Sequence, residues 1–314
     1  MRYLKSLPSA VALAAVVALG ACSGEEPAGD PSSSAAHSFG LMSVSYTHDS
    51  LNSSADGLEL TTTAQFVRYS ALERKQVARL LALPLDPDAD LPASDHCKLY
   101  DLTVDLGEQG LEPADSATVD LLEAGDLTVE TSGGTLKLEP RHFPGLLPFI
   151  SGVAYGEAQS DRAPKTGRVF VSTPGGEAVG AFRVDAPSPE LPRIRQIAGG
   201  TPDREPVLSQ SQGLAVSWRP AEEASRHDED VLYLEARIPS GKRDLVLRCS
   251  PRDDGSFTIA AQELDTLRNN RSKLADHRMV VELIRLRRSY FAARGLDSAE
   301  LRITVRDRTS LQLR

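Results

Sequence analysis

With 314 residues, 40% of them hydrophobic, the chain has the aliphatic content for real cores, which excludes wholesale disorder. Its formal net charge of −9 comes from 44 acidic and 35 basic residues, and the charge is uneven. Cys22–Ser240 carries 17 basic against 34 acidic residues, whereas Gly241–Arg314 carries 16 basic, nearly all arginine, against 10 acidic.

The N-terminus starts with Arg2 and Lys5, followed by the apolar run Ala10–Leu19 and the small residues Gly20 and Ala21. That order predicts a secretory signal peptide over residues 1–21. The run is about half the ~20 residues a spanning helix needs, and no other segment reaches that length. Leu19-Gly20-Ala21-Cys22 resembles the lipobox of bacterial lipoproteins. The resemblance implies cleavage before Cys22, acylation of its thiol with palmitate-type chains and acylation of the new amine. Two or more chains are needed for stable anchoring, because each buried CH₂ adds only ~0.8 kcal/mol. Ser23 after the cysteine points, by the same resemblance, to the outer membrane, on its periplasmic face or at the cell surface. The mature chain would carry −11, since the leader removes two basic residues. Residues 22–37 are rich in Ser, Pro, Gly, Ala and acid and read as a disordered tether with a reach of roughly 20 Å.

The expected fold class is mainly β, with two β-sandwich domains. The first, residues 38–189, has candidate strands at Ser38–Thr47, Leu58–Tyr69, Cys97–Val104, Ala117–Glu123, Leu127–Glu130, Thr135–Leu138, Ile150–Tyr155, Val169–Ser172 and Ala178–Val184. Gly133-Gly134-Thr135 and Pro174–Glu177 read as hairpin turns. One short helix is expected after Ser70, which stands three residues before Glu73 as in a capping box, and Pro84 ends it.

The proline-rich stretch Ala186–Pro192 marks the boundary to a second sandwich, residues 190–314. Its expected strands are Val207–Gln210, Leu214–Trp218, Leu232–Pro239, Leu245–Ser250, Phe257–Ala261, Val280–Phe291 and Leu301–Val305, with Asp253-Asp254-Gly255 as a hairpin signal. Gly213–Pro220, with Leu214, Val216 and Trp218 alternating, resembles the second strand of fibronectin type III domains. The resemblance implies an immunoglobulin-like sandwich over residues 190–314. The sequence departs from that family where a tyrosine is expected on the sixth strand and VVELIRL stands instead. Residues 279–293 break the two-residue alternation near Leu283–Ile284. They read as a bulged strand, with a helix as the alternative, Met279, Leu283, Leu286 and Tyr290 sharing its face.

Motifs that carry chemistry are scarce. The six histidines, His37, His48, His96, His142, His227 and His277, are too widely spaced for short helical metal-ligand motifs. Gly175–Gly180 copies the outline of a phosphate loop without its lysine and reads as a hairpin. His227–Asp230 reads as a polar loop. No catalytic residue, cofactor or firm metal site is expected. Asp86, Asp88 and Asp90 form a weak calcium candidate, since Leu91 and Cys97 stand where a calcium loop needs Gly and Glu. Cys97 and Cys249 are candidates for a disulfide in an oxidising compartment. Two buried thiols are the alternative, favoured somewhat because Cys249 is in phase with Leu245 and Leu247. Arg285, Arg287, Arg302 and Arg306 could form an anion-binding patch, against the plainer reading of a solvated strand face. The expected function is a non-enzymatic binding or scaffold module, lipid-anchored at the cell envelope through Cys22, with an envelope protein or anionic polysaccharide as partner and no nucleic acid. The alternative is an envelope hydrolase with carboxylates on the loops of residues 38–189.

Overall fold

The computed structural model describes residues 36–51, 58–102, 117–142, 150–160, 167–209, 211–222, 227, 230–239, 243–270 and 278–314. The expected leader, Cys22 and nearly all of the tether lie outside the described residues. Ala35–Arg314 form one unit.

The structure is mainly β, and its strands follow the alternation of apolar side chains. In the first segment these are β1 (His37–Asp49), β2 (Leu58–Ser70), β3 (Cys97–Asp101), β4 (Thr118–Leu121), β5 (Leu127–Thr131), β6 (Gly134–Leu138), β7 (Pro140–His142), β8 (Ile150–Ser160), β9 (Arg168–Gly175) and β10 (Gly180–Pro187). The expected glycine turns join β5 to β6 and β9 to β10 as hairpins. The helix is α1 (Arg74–Leu80), and it starts later than expected. Ser70 ends β2 and its hydroxyl bonds Thr118 Oγ1 at 2.8 Å; the main-chain N–H of Glu73 donates to Gln76 Oε1, also at 2.8 Å. The capping pair is therefore Glu73 and Gln76.

The second segment contributes β11 (Ile194–Ile197), the short β12 (Val207–Leu208), β13 (Leu214–Trp218), β14 (Val231–Arg237), β15 (Leu245–Cys249), β16 (Ser256–Ile259), β17 (Arg278–Phe291) and β18 (Ser298–Leu313). β11, β13 and β16 form a three-stranded sheet with β13 central, and β15, β14, β17 and β18 lie side by side opposite it. Leaving out β12, this places the second strand between the first and fifth, and the third between the fourth and sixth, as in an immunoglobulin-like sandwich. β17 runs as one strand, its register against β18 unbroken from Arg278↔Gln312 to Phe291↔Ala299, so the expected bulge is not there. The alternation slips because both faces of the strand are buried from Met279 to Arg287. Asp253–Gly255 crosses from one sheet to the other rather than closing a hairpin, with Gly255 at φ +102°, a conformation that suits glycine.

The two segments share their main sheet. Eleven strands include β3-β15-β14-β17-β18-β1-β2-β4-β8-β7 in order, with β12 beside the end of β18. β1 lies parallel to β18 over eleven residue pairs, and β3 is antiparallel to β15. The boundary expected at Pro189/Glu190 therefore divides neither the sheet nor the cores, since Leu301, Ile303 and Val305 lie in the first core and Cys97 and Leu99 pack against the second. One face of the large sheet packs against the four-stranded sheet β10-β9-β5-β6 around Val44, Phe66, Val171 and Ile303, and against β11-β13-β16 around Trp218, Leu234, Val281 and Leu311. Helix α3 (Ala261–Asn269) adds Leu264 and Leu267 to the second core. On the opposite face, the segment carrying α1 covers β1, β2 and β4 through Val77, and Leu85 and Leu91 pack on Tyr233, Ile284 and Leu286.

Candidate functional site

The four arginines expected to form one patch do not. Successive residues of a strand point to opposite faces, and the shared sheet divides them accordingly. Arg285 and Arg287 point to the face that carries the two small sheets, and Arg302 and Arg306 to the other. Three are almost fully buried, at 2% for Arg285, 5% for Arg287 and 3% for Arg302. A buried guanidinium must be paired and hydrogen-bonded, and each of these is. Arg285 donates to Asp253 Oδ2 (2.8 Å) and to the carbonyl of Glu190 (2.6 Å). Arg287 grips both carboxylate oxygens of Asp230 at 2.6 Å and donates to the carbonyl of Pro187. Arg302 pairs with Glu300 and donates to the carbonyls of Pro84 and Leu85. These arginines hold crossing chain segments against the sheet, and the expectation of an exposed basic patch is corrected.

The calcium candidate is corrected in the same way. Asp86–Asp90 is a helical turn, α2 (Pro87–Asp90), capped by Asp86, whose Oδ1 accepts the N–H of Asp88. Asp90 accepts the N–H of Asp86, and Asp88 pairs with Arg288 at 2.6 Å. The three carboxylates are thus turned to different partners. The hydrogen bond from Arg288 holds the Asp88 carboxyl below its usual range. Among the described residues, no group of three or more His, Cys, Asp or Glu side chains is placed to hold a metal ion. In the polar loop His227–Asp230, Asp230 is the partner of Arg287.

Cys97 and Cys249 are joined as a disulfide. They are directly opposed in the β3–β15 ladder, so the bond closes a loop across a sequence separation of 152 residues and ties the edge strand to the sheet. Cys249 does share the core-facing phase of Leu245 and Leu247, and Cys97 packs against the same cluster. The phase that favoured free thiols fits the disulfide equally well.

Among the described residues, two of the clefts lined by charged residues involve three of the four arginines, Arg285 on one face of the sheet and Arg302 and Arg306 on the other. One, about 270 Å³, lies where Asp253, Asp230, His227 and Arg252 meet Ala221 and Leu232. Asp253 organises it, accepting Trp218 Nε1–H at 2.8 Å, the N–H of Ala221 at 3.1 Å, and Arg285. The other, about 200 Å³, lies on the opposite face of the sheet, between the Pro84–Leu85 segment and β14, β17 and β18. Arg248, Arg302 and Arg306 reach it, with Ser43, Ser45 and Thr304 beside Tyr233, Ile284 and Leu286. Burial pushes the Tyr233 hydroxyl well above the ordinary tyrosine range and keeps it protonated.

One buried constellation was missed from the sequence. His48 Nδ1 lies 2.6 Å from Asp307 Oδ1, and Arg193 Nη1 lies 2.6 Å from His48 Nε2. Arginine can only donate, so the ring proton belongs on Nδ1, where it is donated to Asp307. Asp307 also accepts Ser50 Oγ and the N–H of Ile194. With Arg285 and Arg287, this chain of polar contacts pins residues 187–194 where the chain passes from one core to the next. The partners of His48 and Asp307 lie more than a hundred residues away from them in sequence, and no spacing rule joins them.

Fold and clefts together define a two-lobed, mainly β sandwich protein built on one shared sheet. No family model matches the chain, and no curated protein matches it. Among solved structures, the chain is similar to the Fcho1 mu homology domain of Danio rerio with bound Eps15 peptide. That similarity has 7% identity, covers 89% of this chain and 97% of that one, and has a TM-score of 0.24. A TM-score that low carries no argument about this chain.

Proposed function

We propose that the protein is a lipid-anchored, non-enzymatic binding or scaffold module of the bacterial cell envelope, held at the outer membrane through Cys22. The observation that carries this reading is Leu19-Gly20-Ala21-Cys22 at the end of an apolar leader. The Cys97–Cys249 disulfide supports export, because such bonds persist in oxidising compartments. The binding role is supported by the way the clefts are built. Their charged side chains are fixed by one another and by main-chain carbonyls, which makes preorganised polar surfaces on a rigid frame. The hydrolase alternative draws no support from Asp86, Asp88 and Asp90, whose carboxylates cap a turn and pair with Arg288.

The test is metabolic labelling with a palmitate analogue, membrane fractionation and mass spectrometry of the native N-terminus, in wild type and Cys22→Ser. The wild-type chain is expected to begin at an acylated Cys22 and to sediment with membranes. The variant is expected to be unlabelled and released. An unmodified chain beginning at Met1 overturns the reading.

A further inference from the structure

We infer that the groove beside Pro84–Leu85 is a binding site for a carboxylate-bearing sugar unit, of the uronic acid type. The groove holds about 200 Å³ and has two unlike sides. Ile284 and Leu286 give it an apolar floor, and Ser43, Ser45 and Thr304 give it a row of hydroxyls. A pyranose ring has that same division, with C–H faces and a hydroxyl rim, and ligand pockets typically combine apolar walls with a few convergent polar groups.

Arg306 supplies the charge. Its contacts are long, 3.4 Å to Glu282 and 3.4 Å to Ser45 Oγ, and its buried Nε has no hydrogen-bond partner. The terminal nitrogens are therefore weakly held on a side chain that is 28% exposed, and a planar carboxylate is the acceptor that a guanidinium edge fits best. The neighbouring cations differ. Arg302 is fully engaged by Glu300 and two carbonyls, and Arg248 is held by Glu235 at 2.7 Å and stacked 4.8 Å from the Tyr100 ring centroid. Four arginines, Arg248, Arg302, Arg306 and Arg308, stand against Glu235, Glu282 and Glu300, with Glu282 shared between Arg306 and Arg308, so one positive charge is left over and matches a single negative charge rather than a dianion. That balance selects a carboxylate over a phosphate.

The inference rests on the binding-module reading and names the ligand of one of its surfaces. The two fail separately, because the anchor is read from Cys22 and the groove from titration. The experiment titrates the full chain in detergent with an oligogalacturonate, with a neutral oligosaccharide of the same length and with inorganic phosphate, by calorimetry. The oligogalacturonate is expected to bind at least tenfold more tightly than either control. Arg306→Gln is expected to weaken it at least tenfold, and Arg306→Lys to keep part of the affinity. Circular dichroism spectra and thermal melts confirm that both variants fold. Should Arg306→Gln not fold, Thr304→Val gives a second reading, with a several-fold loss expected. Equal binding of the neutral sugar, tighter binding of phosphate, no binding of the uronate, or unchanged affinity in folded Arg306→Gln each overturn the inference.

Discussion

Tyr155 and Asp253 each close a junction with one side chain. The Tyr155 hydroxyl accepts the N–H of Ala124 (2.7 Å) and donates to the carbonyl of Gly125 (2.8 Å), fixing the turn into β5. Burial raises its pKa to about 12, partly opposed by the Ala124 hydrogen bond. A raised pKa means that the protonated form is favoured in the fold. The stability it provides is complete below the ordinary value near 10 and is lost as pH rises toward 12. Tyr155→Phe leaves the Ala124 N–H without its acceptor and is expected to cost ~1–3 kcal/mol in urea unfolding. It should also flatten the fall in melting temperature between pH 10 and 12. Asp253 binds Trp218, Ala221 and the buried Arg285 at once. Asp253→Ala strands a guanidinium that is 2% exposed, and a loss of about 3–5 kcal/mol is expected. Asp253→Asn, which keeps an acceptor but not the charge, should lose less in the same unfolding measurement.

At the scale of elements, the sequence was most legible where one face of a strand is wet. β13 shows Leu214, Val216 and Trp218 in strict alternation, and its bounds are those expected. β17 and β18 are legible as strands, yet their arginines read as solvated, because the segments that cover them, residues 84–91 over Arg302 and residues 187–190 with Asp230 and Asp253 over Arg285 and Arg287, cannot be read from the strands they cover. Helix α3 is not among the expected elements and overlaps the expected strand Phe257–Ala261 only at Ala261, although Leu264 and Leu267 stand three apart in the sequence. The clefts were not legible, since each draws side chains from stretches far apart in the sequence, Ala221 to Arg285 in one and Ser43 to Arg306 in the other. The disulfide acts at this scale too, because it anchors β3, an edge strand of five residues whose described sheet partner is β15. Replacing Cys97 and Cys249 by alanine removes a closed loop of 152 residues, for an expected loss of about 2–5 kcal/mol. Native-state hydrogen exchange should then rise first in 97–101, the strand held by that bond. Uniform protection in β3 after the substitution would show that the ladder alone is enough.

For the molecule as a whole, sharing the large sheet couples the two cores. β18 contributes Leu301, Ile303 and Val305 to the first core and Leu311 and Leu313 to the second. Between them Asp307 accepts from His48, Ser50 and Ile194, so loosening either lobe disturbs the polar chain at the junction. Two domains joined by a proline-rich linker would unfold separately, with the linker as a swivel. Here the linker is gripped by Arg285 and Arg287, and β1 from the start of the chain pairs with β18 at its end. A single cooperative transition is expected in urea. Fluorescence of Trp218, the one tryptophan, reports the second core, and hydrogen exchange at β5 and β9 reports the first. The two should give the same midpoint. His48→Ala removes the group between Arg193 and Asp307, and it should lower both midpoints together rather than separate them. Residues 190–314 expressed alone lack β1 and β3, leaving β18 and β15 each with one bare edge, and are expected to aggregate or remain unfolded. A soluble, cooperatively folding fragment 190–314, or two separated midpoints in the full chain, would mean that the shared sheet does not bind the lobes energetically.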